Sequence, residues 1–316
     1  MPYRQNPFSR KLRHIASRLE SERFKLSDPD DPPIIYHYTD PKGLIGILSE
    51  GQLWATNIRY LNDSSELLHA QDILKLVLGE IDQEFPSHSP QASLAAAART
   101  SRSSLNDALD TYVTCFSAID DLLYQWSMYG SGGSGFSIGF DRVKLEPAIR
   151  PLPLPTSGPY DWLKLPPPTV KLAKIRYAED EQKRDLRHLF DTYAQLLSAS
   201  CTAPRIARCA QAIADNTARS ASLFKHPSFR QEEEWRIIIS GIGASVDLHF
   251  RPSSRTPIPY VVTARPQGGM LPIVSITIGP TLHKDLSRRS VQQLLYAKGY
   301  CNVTIKESTL PLAVTC

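Results

Sequence analysis

Ile34-Ile35-Tyr36-His37-Tyr38-Thr39 runs straight into Asp40-Pro41-Lys42-Gly43. The first six residues are rich in aromatic and β-branched side chains, which predicts a short strand. Asp40 can cap a helix, and Pro41 suits its first position. Leu44, Ile45, Ile47 and Leu48 then supply a buried stripe, and Gly51 is placed to end the helix. Leu53-Trp54-Ala55 returns as an extended segment.

Similar signals recur without strict β-α alternation. Tyr112–Ser117 has strand character, and in Gly135–Asp141 the residues Phe136, Ile138 and Phe140 alternate with Ser137 and Gly139. That is the period of a half-buried strand. Lys171–Tyr177, Trp235–Ser240, Tyr260–Thr263, Ile273–Ile278 and Asn302–Ile305 read as further strands. Helices are expected over Asp120–Tyr129, 179–223 with a break near Ser198–Pro204, and Ser290–Lys298. In Tyr60–Glu66, Asp63 could cap a helix and Glu66 could reach back to it. Leu67, Leu68, Ile73, Leu74, Val77 and Leu78 follow at helical spacing. Residues 84–104, rich in Ser, Ala and Pro, read as a surface excursion. Together these elements predict an α+β fold around a mixed sheet.

The expected organisation is a basic helix and acidic linker over 1–33, then one α+β domain over 34–316. That domain carries a proline-rich excursion at 142–170 and a helical insertion at 179–223. The 316 residues, 41% of them hydrophobic and 22% charged, suit a sizeable core. No run of about 18 apolar residues predicts a spanning helix, and no apolar stretch follows the basic start as in a secretory signal. Five cysteines, Cys115, Cys201, Cys209, Cys301 and Cys316, form no C-x-x-C pair. Reduced thiols and a cytoplasmic protein are the expectation.

Charge is uneven. Residues 1–25 hold seven Lys and Arg against Glu20 and Glu22, while the whole chain carries +4. Such a start could touch nucleic acid, or form a solvated helix packed on the domain.

Several residue groups could carry chemistry. His37 ends a strand beside Tyr38 and the Thr39 hydroxyl, and two such groups could hold a ribose. Glu232-Glu233-Glu234 opens the Trp235–Ser240 strand. Arg236 lies two residues past Glu234, on the same face of a strand, so a salt bridge is one role. A carboxylate beside a developing oxocarbenium ion is the other, as glycosidic cleavage requires. Trp126 and Tyr129 precede Gly130, Gly132, Gly133 and Gly135, a loop that permits close backbone approach to a ligand. Asn62 and Asp63 could line a cleft next to Trp54. The glycine spacing does not fit a dinucleotide fingerprint, and no Walker A loop is present. Neither H-E-x-x-H, a Cys/His cluster nor G-x-S-x-G occurs, so no metal site and no nucleophile-elbow hydrolase is expected.

The combination resembles the domain of unknown function twenty-nine seventy-one family. Its pieces here are Tyr36-His37-Tyr38-Thr39, Gly43, Leu48, Gly51-x-Leu53-Trp54, Leu61-Asn62-Asp63-x-x-Glu66 and Cys115-Phe116-Ser117. They continue with Trp126-Ser127-Met128-Tyr129, Gly135–Asp141, Phe224-Lys225-His226-Pro227, Glu232–Ile237, Ile258-Pro259-Tyr260 and Ile276–Pro280. By distant similarity the resemblance implies an ADP-ribosyltransferase-like fold with a largely antiparallel sheet. It implies NAD as substrate, His37 on the adenosine ribose, Tyr129 stacked on nicotinamide, and Glu234 or else Glu232 as the catalytic carboxylate. Tyr38, Thr39, Trp54, Asn62, Asp63, Trp126 and Arg236 would line the NAD site. The usual Ser-Thr-Ser second motif is not evident. The expected activity is ADP-ribosyl transfer to nucleic acid or protein, in a toxin or defence role. An NAD glycohydrolase and a non-catalytic nucleotide-binding sensor or interaction module are the alternatives.

Overall fold

A computed structural model describes residues 7–23, 30–61, 66–101, 111–130, 134–151, 168–198, 201–242, 246–253, 256–264 and 269–311. The chain divides into two compact units, each assembled from separated stretches. One comprises residues 1–27, 58–111 and 175–230; the other comprises 28–57, 112–174 and 231–316.

The first unit is helical. It contains α1 (Pro7–Arg23), α3 (Glu66–Glu84), α4 (Pro90–Thr100), α7 (Glu179–Ala194) and α8 (Ala203–Ser220). Helical spacing buries Ile73, Leu74, Val77, Leu78 and Ile81 of α3, and Leu186, Leu189, Phe190 and Tyr193 of α7. In α1, Ile15 and Leu19 are buried, Arg205 lies over the Phe8 ring, and His188 reaches Glu22. That basic helix packs within its unit. The excursion expected over 84–104 is instead helix α4. Ser89 caps it by accepting from the Ala92 amide at 3.0 Å, Pro90 opens it, and Leu94, Ala95 and Ala98 are buried. Alanine's high helix propensity outweighs the Ser/Pro punctuation at its start.

The second unit holds the sheet. Its strands are β1 (Ile34–Thr39), β2 (Gln52–Asn57), β3 (Tyr112–Ser117), β4 (Phe136–Asp141), β5 (Arg150–Pro151), β6 (Thr169–Lys174), β7 (Glu234–Ser240), β8 (Leu248–Arg251), β9 (Ile258–Ala264), β10 (Ile273–Ile278) and β11 (Thr304–Glu307). Its helices are α2 (Pro41–Glu50), α5 (Leu123–Tyr129), α6 (Arg142–Ala148) and α9 (Lys284–Ala297). The main path runs β11-β10-β4-β1-β3-β2-β9-β5. β7 joins β3 to β6, and β8 pairs with β9. Only the β10–β11 ladder among these strands is parallel. The fold is α+β, with an open, largely antiparallel sheet and flanking helices.

Helix α2 follows its sequence signals. Asp40 accepts from the Gly43 amide at 2.6 Å, and Gly51 closes the helix with φ 61. Leu44, Ile47 and Leu48, with Val291 and Leu295 of α9, join Ile35, Leu53, Phe116, Phe140, Trp235 and Ile237 in one core. A smaller core on the other side of β1 contains Tyr36, Tyr38 and Trp126. Helix α5 begins at Leu123 rather than Asp120 because the two aspartates are engaged elsewhere. Asp120 pairs with Lys306 at 2.8 Å. Asp121 accepts from Trp126 Nε1, Ser308 Oγ and the Thr309 amide and hydroxyl.

Candidate functional site

One edge of β3 pairs with β7 along its whole length, from Tyr112↔Ile239 to Ser117↔Glu234. The other edge is shared. β1 meets it at Tyr36↔Ser117, and β2 meets it at Thr56↔Val113 and Asn57↔Tyr112. Between those contacts, at Thr114 and Cys115, the sheet forks. Side chains replace the ladder there. His37 Nδ1 donates to the Cys115 carbonyl at 2.9 Å, and Thr114 Oγ1 donates to the Trp54 carbonyl at 3.1 Å.

The first of these bonds fixes the chemistry of His37. A carbonyl oxygen can only accept, so the proton sits on Nδ1, and Nε2 presents a lone pair. Burial pushes the imidazole pKa below its ordinary value, and the Cys115 bond only partly offsets this. The ring is half-buried and lies tilted against Phe116, with centroids 5.7 Å apart. His37 is therefore a neutral hydrogen-bond acceptor at the fork.

Strand alternation decides which side chains it can meet. The paired positions Tyr36, Ser117 and Glu234 share one face, along with Tyr38, Cys115 and Arg236. His37 and Thr39 belong to the opposite face with Ile35, Phe116 and Trp235. The two residues singled out in the sequence both border β3, but their side chains leave the sheet on opposite sides.

Glu234 is buried and engaged. Arg236 Nε donates to Oε1 at 2.7 Å, and Nη2 donates to Oε2 at 3.0 Å. The guanidinium is 1% exposed. This is the salt bridge that the i, i+2 spacing suggests, in its bidentate form. The residue before it, Glu233, has φ 43, the one positive value outside glycine among the described residues. The Glu232 and Glu233 carbonyls accept from Ser117 Oγ at 2.8 Å and the Ala118 amide at 2.9 Å, holding the turn into β7. The Glu232 side chain is buried.

The remaining candidates are spread out. Tyr38 donates to the Ile119 carbonyl at 2.8 Å, and burial raises its phenol pKa. Trp126 meets it edge-on at 4.7 Å and is only 1% exposed, so its ring offers no surface to a ligand. Tyr129, at the end of the same helix, is 40% exposed. Trp54 shares the Glu234 face through the Thr56↔Val113 pairing, and it is stacked on Tyr260. Asn62, Asp63, Gly132 and Gly133 lie outside the described residues. The fork itself, through Thr114 and the Cys115 carbonyl, escapes sequence reasoning, although the strand that bears it does not.

Residues 125–237 match the family model described as "Protein of unknown function (DUF2971)". That stretch takes in Trp126, Tyr129, Glu232, Glu234 and Arg236, and leaves out His37 and Trp54. No curated protein and no solved structure matches the chain. Among the described residues, no helix is long and apolar enough to cross a membrane, and no group of His, Cys, Asp and Glu could hold a metal ion.

Proposed function

We propose that the chain is a nucleotide-binding sensor or interaction module, with NAD as the first ligand to test. The supporting observation is the neutral His37 imidazole at the fork, with Nδ1 committed to the Cys115 carbonyl and Nε2 left as an acceptor. A ribose hydroxyl is a donor of the right kind, and a neutral imidazole receives it without a proton change. Binding without turnover is preferred because both Glu234 oxygens are already held by Arg236. A carboxylate in that state does not face a developing cation.

ADP-ribosyl transfer is the second reading, and the Glu233 backbone favours it. A non-glycine residue at positive φ directly before a candidate catalytic carboxylate is the kind of local cost that clusters at working sites. On this reading Glu234 exchanges Arg236 for the nicotinamide ribose when NAD binds. Calorimetry with NAD, run beside a nicotinamide-release assay, tests both. Binding without release supports the module. Release that Glu234→Gln abolishes, in a protein that still folds, supports the transferase. Free ADP-ribose with no labelled macromolecule identifies a glycohydrolase.

A further inference from the structure

The face of β2, β9 and β8 carries a preassembled aromatic stack. Trp54 lies on Tyr260 with ring centroids 4.4 Å apart, and Tyr260 on His249 at 5.5 Å, both at an interplanar angle of 27°. Register explains the pile. Tyr260 sits between Thr56 of β2 and His249 of β8, and Trp54 is two residues from Thr56 on the same face. Trp54 is 50% exposed, whereas Tyr260 is buried between its neighbours. The stack thus presents the outer side of the indole to solvent, already ordered.

Arginines flank it along β9. Arg251, exposed, pairs opposite Ile258 and donates to Thr56 Oγ1 at 3.3 Å. Arg150, also exposed, pairs opposite Ala264 on the same face by alternation. Six residues of strand separate these rows, about 20 Å. Among the described residues of these rows, Asp247 supplies a carboxylate, 3.3 Å from His249 Nε2.

We propose that this strip binds single-stranded nucleic acid, with a base stacked on Trp54 and phosphates met by Arg251 and Arg150. Exposed aromatics between cationic side chains are what strand-tracking surfaces use, because every base has a π face and every linkage a negative charge. A rigid stack also loses little side-chain freedom on binding. An exposed indole suits a sugar ring equally well, but two arginines favour an anionic chain. The proposal uses the outer side of the Trp54 indole and does not rest on His37.

Fluorescence anisotropy of the full chain with fluorescein-labelled oligo(dT) and oligo(U), across a salt series, tests it. Binding at low salt is expected. Trp54→Ala should weaken it by roughly five- to a hundredfold. Arg251→Ala should weaken it and flatten the salt slope by about one. Tyr296→Ala, which removes an exposed aromatic outside the strip, should change nothing. Should Trp54→Ala fail to fold, Trp54→Phe keeps a stacking ring and should retain binding, while Arg251→Ala still reads the charge contribution. The proposal is overturned if the wild type does not bind either oligomer, if Trp54→Ala binds like the wild type, or if a neutral glucan binds at Trp54 and the oligomers do not.

Discussion

His37 is the residue on which the functional reading turns, and its environment gives a pH signature. Its folded pKa lies below the ordinary 6.5 because burial penalises the imidazolium. The unfolded chain therefore takes up the proton first as pH falls. Stability is full above about 6.5 and declines below it, until pH passes the lowered folded value. His37→Asn should remove that part of the slope, read from urea midpoints at pH 7.5 and 5.5. NAD affinity should hold through that window and fall only as pH drops through the lowered folded value, where protonation turns Nε2 from acceptor to donor. Glu234 and Arg236 behave differently, being buried together. Arg236→Met alone takes the bidentate partner from a buried carboxylate and should cost about 3–5 kcal/mol. The double change Glu234→Gln with Arg236→Met should recover much of that in denaturant unfolding. If the single and double variants are equally unstable, the unmatched charge is not the source of the instability.

Helix α2 and strand β10 carry opposite kinds of prediction. Gly46 lies inside α2 with nothing within 4 Å of where a Cβ would stand. Gly46→Ala should raise stability by about 0.5–1 kcal/mol, through helix propensity and a less flexible unfolded chain. A Cβ at Gly43 would stand 1.9 Å from Thr39 Oγ1, so Gly43→Ala should lower the melting temperature instead. In β10, Thr277 Oγ1 and Ser275 Oγ are buried without hydrogen-bond partners. Thr277→Val removes one such hydroxyl at little cost in shape and should stabilise by about 1 kcal/mol. The cap and apolar stripe of α2 are legible in the sequence because they are local, residue by residue. So are the alternation of β4 and the i, i+2 relation of Glu234 to Arg236. Strand β8 is not, since Leu248–Arg251 is four residues long and mostly exposed, and only its pairing with β9 marks it.

Across the whole molecule, what the sequence conceals is parity. His37 and Glu234 both read as strand residues beside an apolar run, and both are. Which face each occupies depends on two registers, Tyr36↔Ser117 and Ser117↔Glu234, set by tertiary contact over long separations. Moving either register by one residue would reverse the answer. The fork follows from the same cause, because β1 and β2 compete for one edge of β3. The division into a helical and a sheet unit is hidden too, since each is gathered from stretches far apart in the chain. If NAD is held by neutral and polar groups, chelation with EDTA should leave its affinity unchanged in calorimetry. The most direct test of the account is that calorimetric titration at pH 7.5 on the full chain and on His37→Asn, with nicotinamide quantified in the same cell. The account predicts binding to the wild type, its loss in the variant, and no nicotinamide; equal binding by both proteins, or nicotinamide accumulating with turnover, would contradict it.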